Sequence, residues 1–180
     1  MESFWRHSLA CGVAARVLAI ARRLPKPEKF FTAGLLHDIG RLVLFSCAAE
    51  KAREIFVTYT SRRMLLIEAE RRSLGFDHAD IGAALLAAWN HPPNLINAVR
   101  FHHGPMSAGA FQIDACVIHL SDHLVNAMQL GSAGERFIPE LDSKAWERLN
   151  LPLDSLETVV DSVDEQVQVV EQVFLGSADC

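Results

Sequence analysis

Apolar residues recur at spacings of three and four along most of the chain, and there is neither an internal repeat nor a convincing strand pattern. Ala10, Ala14, Val17, Leu18 and Ala21 form the first stripe, which predicts a helix over 3–23 capped by Ser3. His7 lies three and four residues before Ala10 and Cys11 and so points the same way. Pro25 and Pro27 end that helix and open a second, from about Pro27 to His37 or Asp38. Gly40 permits a break, and 41–46 continue the apolar run. Ala52, Ile55, Phe56 and Tyr59 mark a helix over 48–61, and another over 63–74 stops at Gly75. Asp77 is placed to cap a helix over 78–90 with Ile81, Leu85, Leu86 and Trp89 as its apolar face, so His78 is its first residue. Pro92-Pro93 opens a helix over 92–103 that carries His102 and His103 in its last turn. The small residues of 104–110 read as a loop or lid.

A long apolar helix over 111–130 projects His119, Asp122 and His123 and stops at Gly131. A loop over 131–142, a short helix over 143–149 and a helix over 154–175 complete the chain. The last helix sets a seam of Leu156, Val159, Val160, Val163, Val167, Val170 and Phe174 against an acidic face of Glu157, Asp161, Asp164, Glu165 and Glu171. That seam suits packing on a neighbouring helix, in this chain or in a partner.

Phe31–Phe45 departs from the amphipathic rule. Leu35, Leu36, Ile39, Leu42, Val43 and Leu44 leave no solvent face of ordinary width, so the stretch is expected to be buried. Its centre nevertheless carries His37 and Asp38. A buried carboxylate needs a cation, either an Arg or Lys or a metal ion. His7, His78, His102, His103 and Asp122 are further candidates, spread over separate helices and mostly beside apolar residues. Imidazole with carboxylate is the donor set of zinc, iron, manganese and related divalent ions.

Composition narrows the picture. A chain of 180 residues, half of them hydrophobic and 8% aromatic, is one domain with an aliphatic core, and sparse Gly and Pro favour an all-α fold. A net charge of −5 argues against a general nucleic-acid binder. Cys11, Cys47, Cys116 and Cys180 form no CxxC pair and read as reduced, buried thiols of a cytoplasmic protein. There is no secretory h-region and no run of eighteen uncharged apolar residues, so no membrane partner is expected.

His7, then His37-Asp38, then Asp122 resembles the H…HD…D signature of the HD superfamily of metal-dependent phosphohydrolases. The phrases Phe4-Trp-Arg-His-Ser, Phe31-Thr-Ala-Gly-Leu-Leu-His-Asp-Ile-Gly-Arg-Leu-Val-Leu and Gly75-Phe-Asp-His-Ala-Asp-Ile-Gly-Ala-Ala-Leu-Leu-Ala-Ala-Trp resemble its HDOD subgroup, the HD-related output domain. The likeness covers roughly residues 3–130. It implies an HD-like bundle of about seven core helices over 1–130, with a C-terminal helical extension over 131–180. It also implies a bacterial signalling module with signalling-protein partners or fused regulatory domains, and a nucleotide ligand as a further option.

By the same resemblance to the HD-GYP phosphodiesterases, His7, His37, Asp38, His78, His102, His103 and Asp122 match metal-ligand positions, enough for one or two divalent ions of iron, manganese or zinc. If the site is catalytic, Asp38 and Arg41 carry it. A hydroxide held between two metals would attack phosphorus in a nucleotide or cyclic dinucleotide, with Arg41 on the phosphoryl oxygens. Three departures favour metal binding over cyclic-dinucleotide cleavage. Arg41 replaces the usual Lys, Gly-Tyr-Pro is missing after the His pair, and Ser3 stands where three-metal relatives have Glu. HDOD domains also usually carry a further helical half before the Phe-Trp-Arg-His phrase. Its apparent absence implies apolar surface left open or paired with another copy in a homodimer. Plainer readings stay open: Arg41 as salt-bridge partner of Asp38, Asp122 paired with His119 or an Arg, and the His pair complementing a helix C-terminus.

Overall fold

A computed structural model describes residues 2–174; Cys180 and the side chain of Phe174 lie outside the described residues. Among those residues every regular element is helical. The first four are α1 (Glu2–Ala21), α2 (Glu28–Leu36), α3 (Ile39–Cys47) and α4 (Ala49–Arg62). Then come α5 (Leu66–Leu74), α6 (His78–Ala88), α7 (Pro93–Arg100), α8 (Gln112–Ala127), α9 (Ser143–Leu149) and α10 (Leu156–Phe174). The all-α expectation holds. So do most boundaries, within the residue or two by which helix ends fray.

α1 is the axis. Ala10, Cys11, Ala14, Ala15 and Ala19 have no exposed surface, and α2, α8 and α10 pack around it. Small side chains allow that close approach on several sides at once. The middle of the α10 seam closes on α1 within this chain, with Val159, Val163 and Val167 at most 4% exposed; Val160 and Val170 are half-buried, and Leu156 is exposed, contrary to expectation. A second, smaller core under α3, α4 and α5 is built on Leu44, Ile55, Tyr59 and Leu66.

Two glycines fix the middle of the chain. A β-carbon on Gly34 would stand 2.7 Å from the carbonyl carbon of Cys11, so α2 crosses α1 backbone to backbone there. A β-carbon on Gly40 would overlap the carbonyl oxygen of His78 and stand 2.7 Å from the nitrogen of Gly82, so α3 crosses α6 in the same way. The short turn between α2 and α3 is therefore held from both sides. That turn is His37–Asp38 itself. The break falls there rather than at Gly40, which is needed inside α3 as the contact point.

Four further expectations are corrected. Ser3 lies inside α1, and its carbonyl accepts from the Ser132 amide at 3.0 Å. His102 and His103 sit in a turn just beyond α7 rather than in its last turn. Residues 104–110 are not an open lid. They form 3-10 turns at Pro105–Ser107 and Gly109–Phe111, with Pro105 and Ala108 buried. Cys47 is exposed at the end of α3, while Cys11 and Cys116 are buried; all three are free thiols. By length and composition Glu28–Cys47 would suffice to cross a membrane, but the turn interrupts it; α1 packs on α2 and α6 on α3, and of the apolar residues expected to be buried Leu44 is, while Leu35, Leu36, Ile39, Leu42 and Val43 are half-buried.

Candidate metal centre

Four elements converge on the turn. α1 supplies His7 and Cys11, the turn His37 and Asp38, α6 its first residue His78, the segment after α7 His102 and His103, and α8 Asp122. Asp77 caps α6 by accepting from the amides of Ala79 at 2.9 Å and Asp80 at 3.1 Å, which fixes where that helix starts and so where His78 points. His7, His37, Asp38, His78, His102 and Asp122 are at most 4% exposed; His103 is half-buried.

The Asp38 carboxylate stands between two sets of imidazoles. Its Oδ1 lies 3.1 Å from His78 Nε2 and 4.0 Å from His102 Nε2. Its Oδ2 lies 3.3 Å from His37 Nε2 and 4.0 Å from His7 Nε2. Asp122 Oδ1 approaches the second set, 3.1 Å from His7 Nε2 and 3.8 Å from His37 Nε2. Asn126 Nδ2 donates to the same oxygen at 2.8 Å. His103 Nε2 faces His78 Nε2 at 3.0 Å.

Neighbouring acceptors orient the rings. Nδ1 of His37 donates to the Gly34 carbonyl at 2.7 Å, and Nδ1 of His102 to the Val99 carbonyl at 2.6 Å. Nδ1 of His78 donates to Glu70 Oε2 at 2.6 Å, and the same oxygen accepts from the His78 amide at 2.9 Å. Each ring thus turns its Nε2 inward, as in metal sites whose ligand histidines give their other N–H to an outer acceptor. His119 acts at one remove, its Nδ1 donating to the His102 carbonyl at 2.7 Å and its Nε2 accepting from the Asp142 amide at 3.1 Å. His37 Nε2, His102 Nε2 and Asp38 Oδ1 are buried and make no well-directed hydrogen bond among the described residues; the imidazole and carboxylate atoms that face them stand at 3.1–4.0 Å. Poorly satisfied acceptors of this kind are what a cation would satisfy.

Charge points the same way. Asp38, Asp122, Glu70 and the side chain of Glu135 are all at most 7% exposed, and Arg41 is the guanidinium among them. Four carboxylates against one guanidinium leave a formal −3 when the imidazoles are neutral. Arg41 does not settle this alone. Its Nη2 donates to Glu135 Oε1 at 2.6 Å and its Nη1 to the Ala133 carbonyl at 3.0 Å, whereas Asp38 Oδ2 is 3.4 Å away. Without a metal, protons take up the imbalance. Burial opposes ionisation of Asp38, but Arg41, His37 and His78 hold its carboxyl well below the usual range. Asp122 is likewise lowered against its burial, by His7 and His37. His78 is pushed up to about 9, Glu70 and Asp38 outweighing burial and Arg41. His37 is raised against its burial, chiefly by Asp38. His102, by contrast, is held down at about 3 by burial and the neighbouring His37 and His78.

All seven residues proposed from sequence as ligands reach one centre, in three overlapping groups whose donor atoms lie within 4.8 Å of one another in each: His7, Cys11, His37 and Asp122; His37, Asp38 and His102; His78, His102 and His103. Sequence reasoning misses three participants. Glu70 is eight positions before His78, beyond the reach of a helical pairing rule, and Gly75 and Asp77 are the signal that the chain folds back between them. Glu135 comes from the loop after α8, where sequence offers no register. Cys11 reads in sequence only as a core thiol, although its four-residue spacing from His7 puts both on one helical face.

The family profile for the HDOD domain matches residues 1–105. The chain belongs to the HDOD family. Asp122 lies beyond the matched stretch, so its place in the centre rests on α8 packing against α1. Solved structures share the fold. An HDOD domain protein of unknown function from Geobacter sulfurreducens superposes with a TM-score of 0.73 at 20% identity, over 91% of this chain and 62% of that one. A protein from Shewanella amazonensis, provisionally described as a phosphohydrolase, gives 0.70 at 22% identity over 90% and 58%. The response regulator MmoQ from Methylococcus capsulatus gives 0.64 at 25% identity over 88% and 60%. The HDOD chain therefore spans about three fifths of these structures, and a relative from Treponema pallidum, 34% identical over 73 residues, aligns over 14% of its own length.

Proposed function

We propose that this HDOD domain is a cytoplasmic signal-transduction output module whose buried His–carboxylate centre holds one or two divalent ions, with iron, manganese or zinc as the candidates. The observation that carries the reading is Asp38, placed between two sets of inward-facing imidazoles whose Nε2 atoms face its two oxygens at 3.1–4.0 Å. When bound, such ions supply positive charge that the single guanidinium cannot. The residues themselves hold the arrangement: Glu70 orients His78, Gly34 orients His37, and Arg41 ties the centre to the loop carrying Glu135. The likeness to a response regulator supports partners among signalling proteins or fused regulatory domains, with a nucleotide or a second copy of the chain as further candidates. The test is metal content by mass spectrometry on tag-free protein beside a His37→Ala/Asp38→Ala variant. One to two equivalents, lost in the variant, are expected. No metal in either, even after reconstitution, sinks the reading.

A second reading is a metal-dependent phosphohydrolase with Asp38 and Arg41 in the reaction. The donor set and the likeness to the Shewanella protein favour it. Burial of the donors and the engagement of Arg41 by Glu135 weigh against it, since a phosphate would have to displace that carboxylate. Turnover of a phosphoester panel by metal-loaded protein, lost in Asp38→Ala, would establish it. A blank panel leaves the output module.

A further inference from the structure

The group of His7, Cys11, His37 and Asp122 is more than a fragment of a symmetric His–carboxylate site. We infer that Cys11 is a fourth protein ligand there, completing a closed, thiolate-bearing site for a soft divalent ion such as zinc, beside a nitrogen- and oxygen-only set around His78. This rests on the metal reading above and goes beyond it by assigning a ligand and a class of ion to one half of the centre.

Distances carry the argument. Around a tetrahedral zinc, bond lengths of about 2.3 Å to sulfur and about 2.0–2.1 Å to nitrogen or oxygen put neighbouring donors roughly 3.3–3.6 Å apart. Cys11 Sγ lies 3.5 Å from His7 Nε2. Asp122 Oδ1 lies 3.1 Å from His7 Nε2 and 3.8 Å from His37 Nε2, and all four donors fall within 4.8 Å of one another. Three of the six edges are thus 3.1–3.8 Å, and none of the six exceeds 4.8 Å. The backbone places the sulfur: Gly34 meets the Cys11 carbonyl, so the crossing of α2 over α1 sets the separation of Cys11 from His37. A second observation points into the same space. His37 Nε2 is fully buried and makes no well-directed hydrogen bond among the described residues, with Asp122 Oδ1 at 3.8 Å and Asp38 Oδ2 at 3.3 Å, and the Nδ1 bond to Gly34 aims it inward. With Asp38, whose Oδ2 is 3.3 Å from His37 Nε2, left to the neighbouring set, these four protein donors leave no open position, which is the pattern of structural rather than catalytic zinc.

The test is cobalt(II) substitution of the full chain, followed by absorption spectroscopy. The expected result is a thiolate-to-cobalt charge-transfer band in the near ultraviolet, kept in Cys47→Ser and Cys116→Ser and lost in Cys11→Ser while cobalt still binds. X-ray absorption on zinc-loaded wild type needs no variant and should show one sulfur at about 2.3 Å. Cobalt bound without a thiolate band, or zinc with only nitrogen and oxygen neighbours, overturns the Cys11 assignment and leaves the metal reading standing. No binding of either ion overturns both.

Discussion

Replacing Gly40 by alanine should damage both the fold and the centre. The new methyl would stand 2.7 Å from the nitrogen of Gly82, and closer still to the His78 carbonyl oxygen, whereas ordinary contact begins at 3.4 Å. α3 and α6 must therefore part by at least the 0.7 Å difference. Overpacking of this kind costs about 1–3 kcal/mol. For a chain of this length that is a fall in Tm of roughly 2–12 °C. The same displacement carries His78 away from Asp38, whose facing atoms are 3.1 Å apart, so bound metal should weaken as well. Gly104→Ala is the control, because a β-carbon there meets nothing within 4 Å. Thermal unfolding of wild type and both variants in chelator, followed by circular dichroism, measures the effect without metal. A Gly40→Ala protein melting with wild type would refute the close crossing of α3 and α6, and with it the account of how the turn is held.

Glu70→Gln keeps the shape of the side chain but weakens its grip on His78 Nδ1, so metal affinity should fall about 10–100-fold, read by chelator competition; an unchanged affinity would remove Glu70 from the centre. In chelator, stability should peak near pH 6.5. His78, raised to about 9 in the fold, contributes fully below its unfolded value of about 6.5 and loses that contribution, on the order of 3 kcal/mol, as pH rises through 9. His102, lowered to about 3, takes a proton more readily when unfolded, so stability also declines as pH falls below about 6.5. Urea midpoints that are flat from pH 6.5 to 9 would contradict the His78 assignment. Val163→Ala, at a fully buried seam position, should cost about 2 kcal/mol by urea denaturation, against less than about 0.5 for Val169→Ala at 61% exposure; equal costs would mean that α10 does not dock through this face.

Local signals are enough for most helices. Asp77 caps α6 as its sequence suggests, and Val159, Val163 and Val167 of the α10 seam are buried as their spacing requires. The candidate ligands stand out because an imidazole or carboxylate inside an apolar stripe is costly to bury without a partner, and it is the resemblance to the HD superfamily that joins them into one ligand set. What sequence cannot supply is tertiary. Gly40 looks like a break and is instead a contact between two helices, a role that exists only once α6 is in place. Glu70 sits beside Arg71 and Arg72 and resembles one more charge on a solvated face, yet it is 1% exposed because the turn after α5 folds His78 back onto it. Sequence offers Arg41 either Asp38 or a phosphate; a loop residue 94 positions later, Glu135, holds it more closely than Asp38 does.

The donors of the centre run from His7 to Asp122 and come from five elements. No contiguous piece of the chain holds more than a part of them, so the centre exists only when the whole assembly has closed. An ion seated there would be held by three helices, the turn and the segment after α7 at once. Its departure would wait for helices to separate, on the timescale of local unfolding rather than of breaking one bond. Residence would then report the opening rate of the domain. A partner that pries apart α1 and α8 would speed the ion's loss without touching a single ligand.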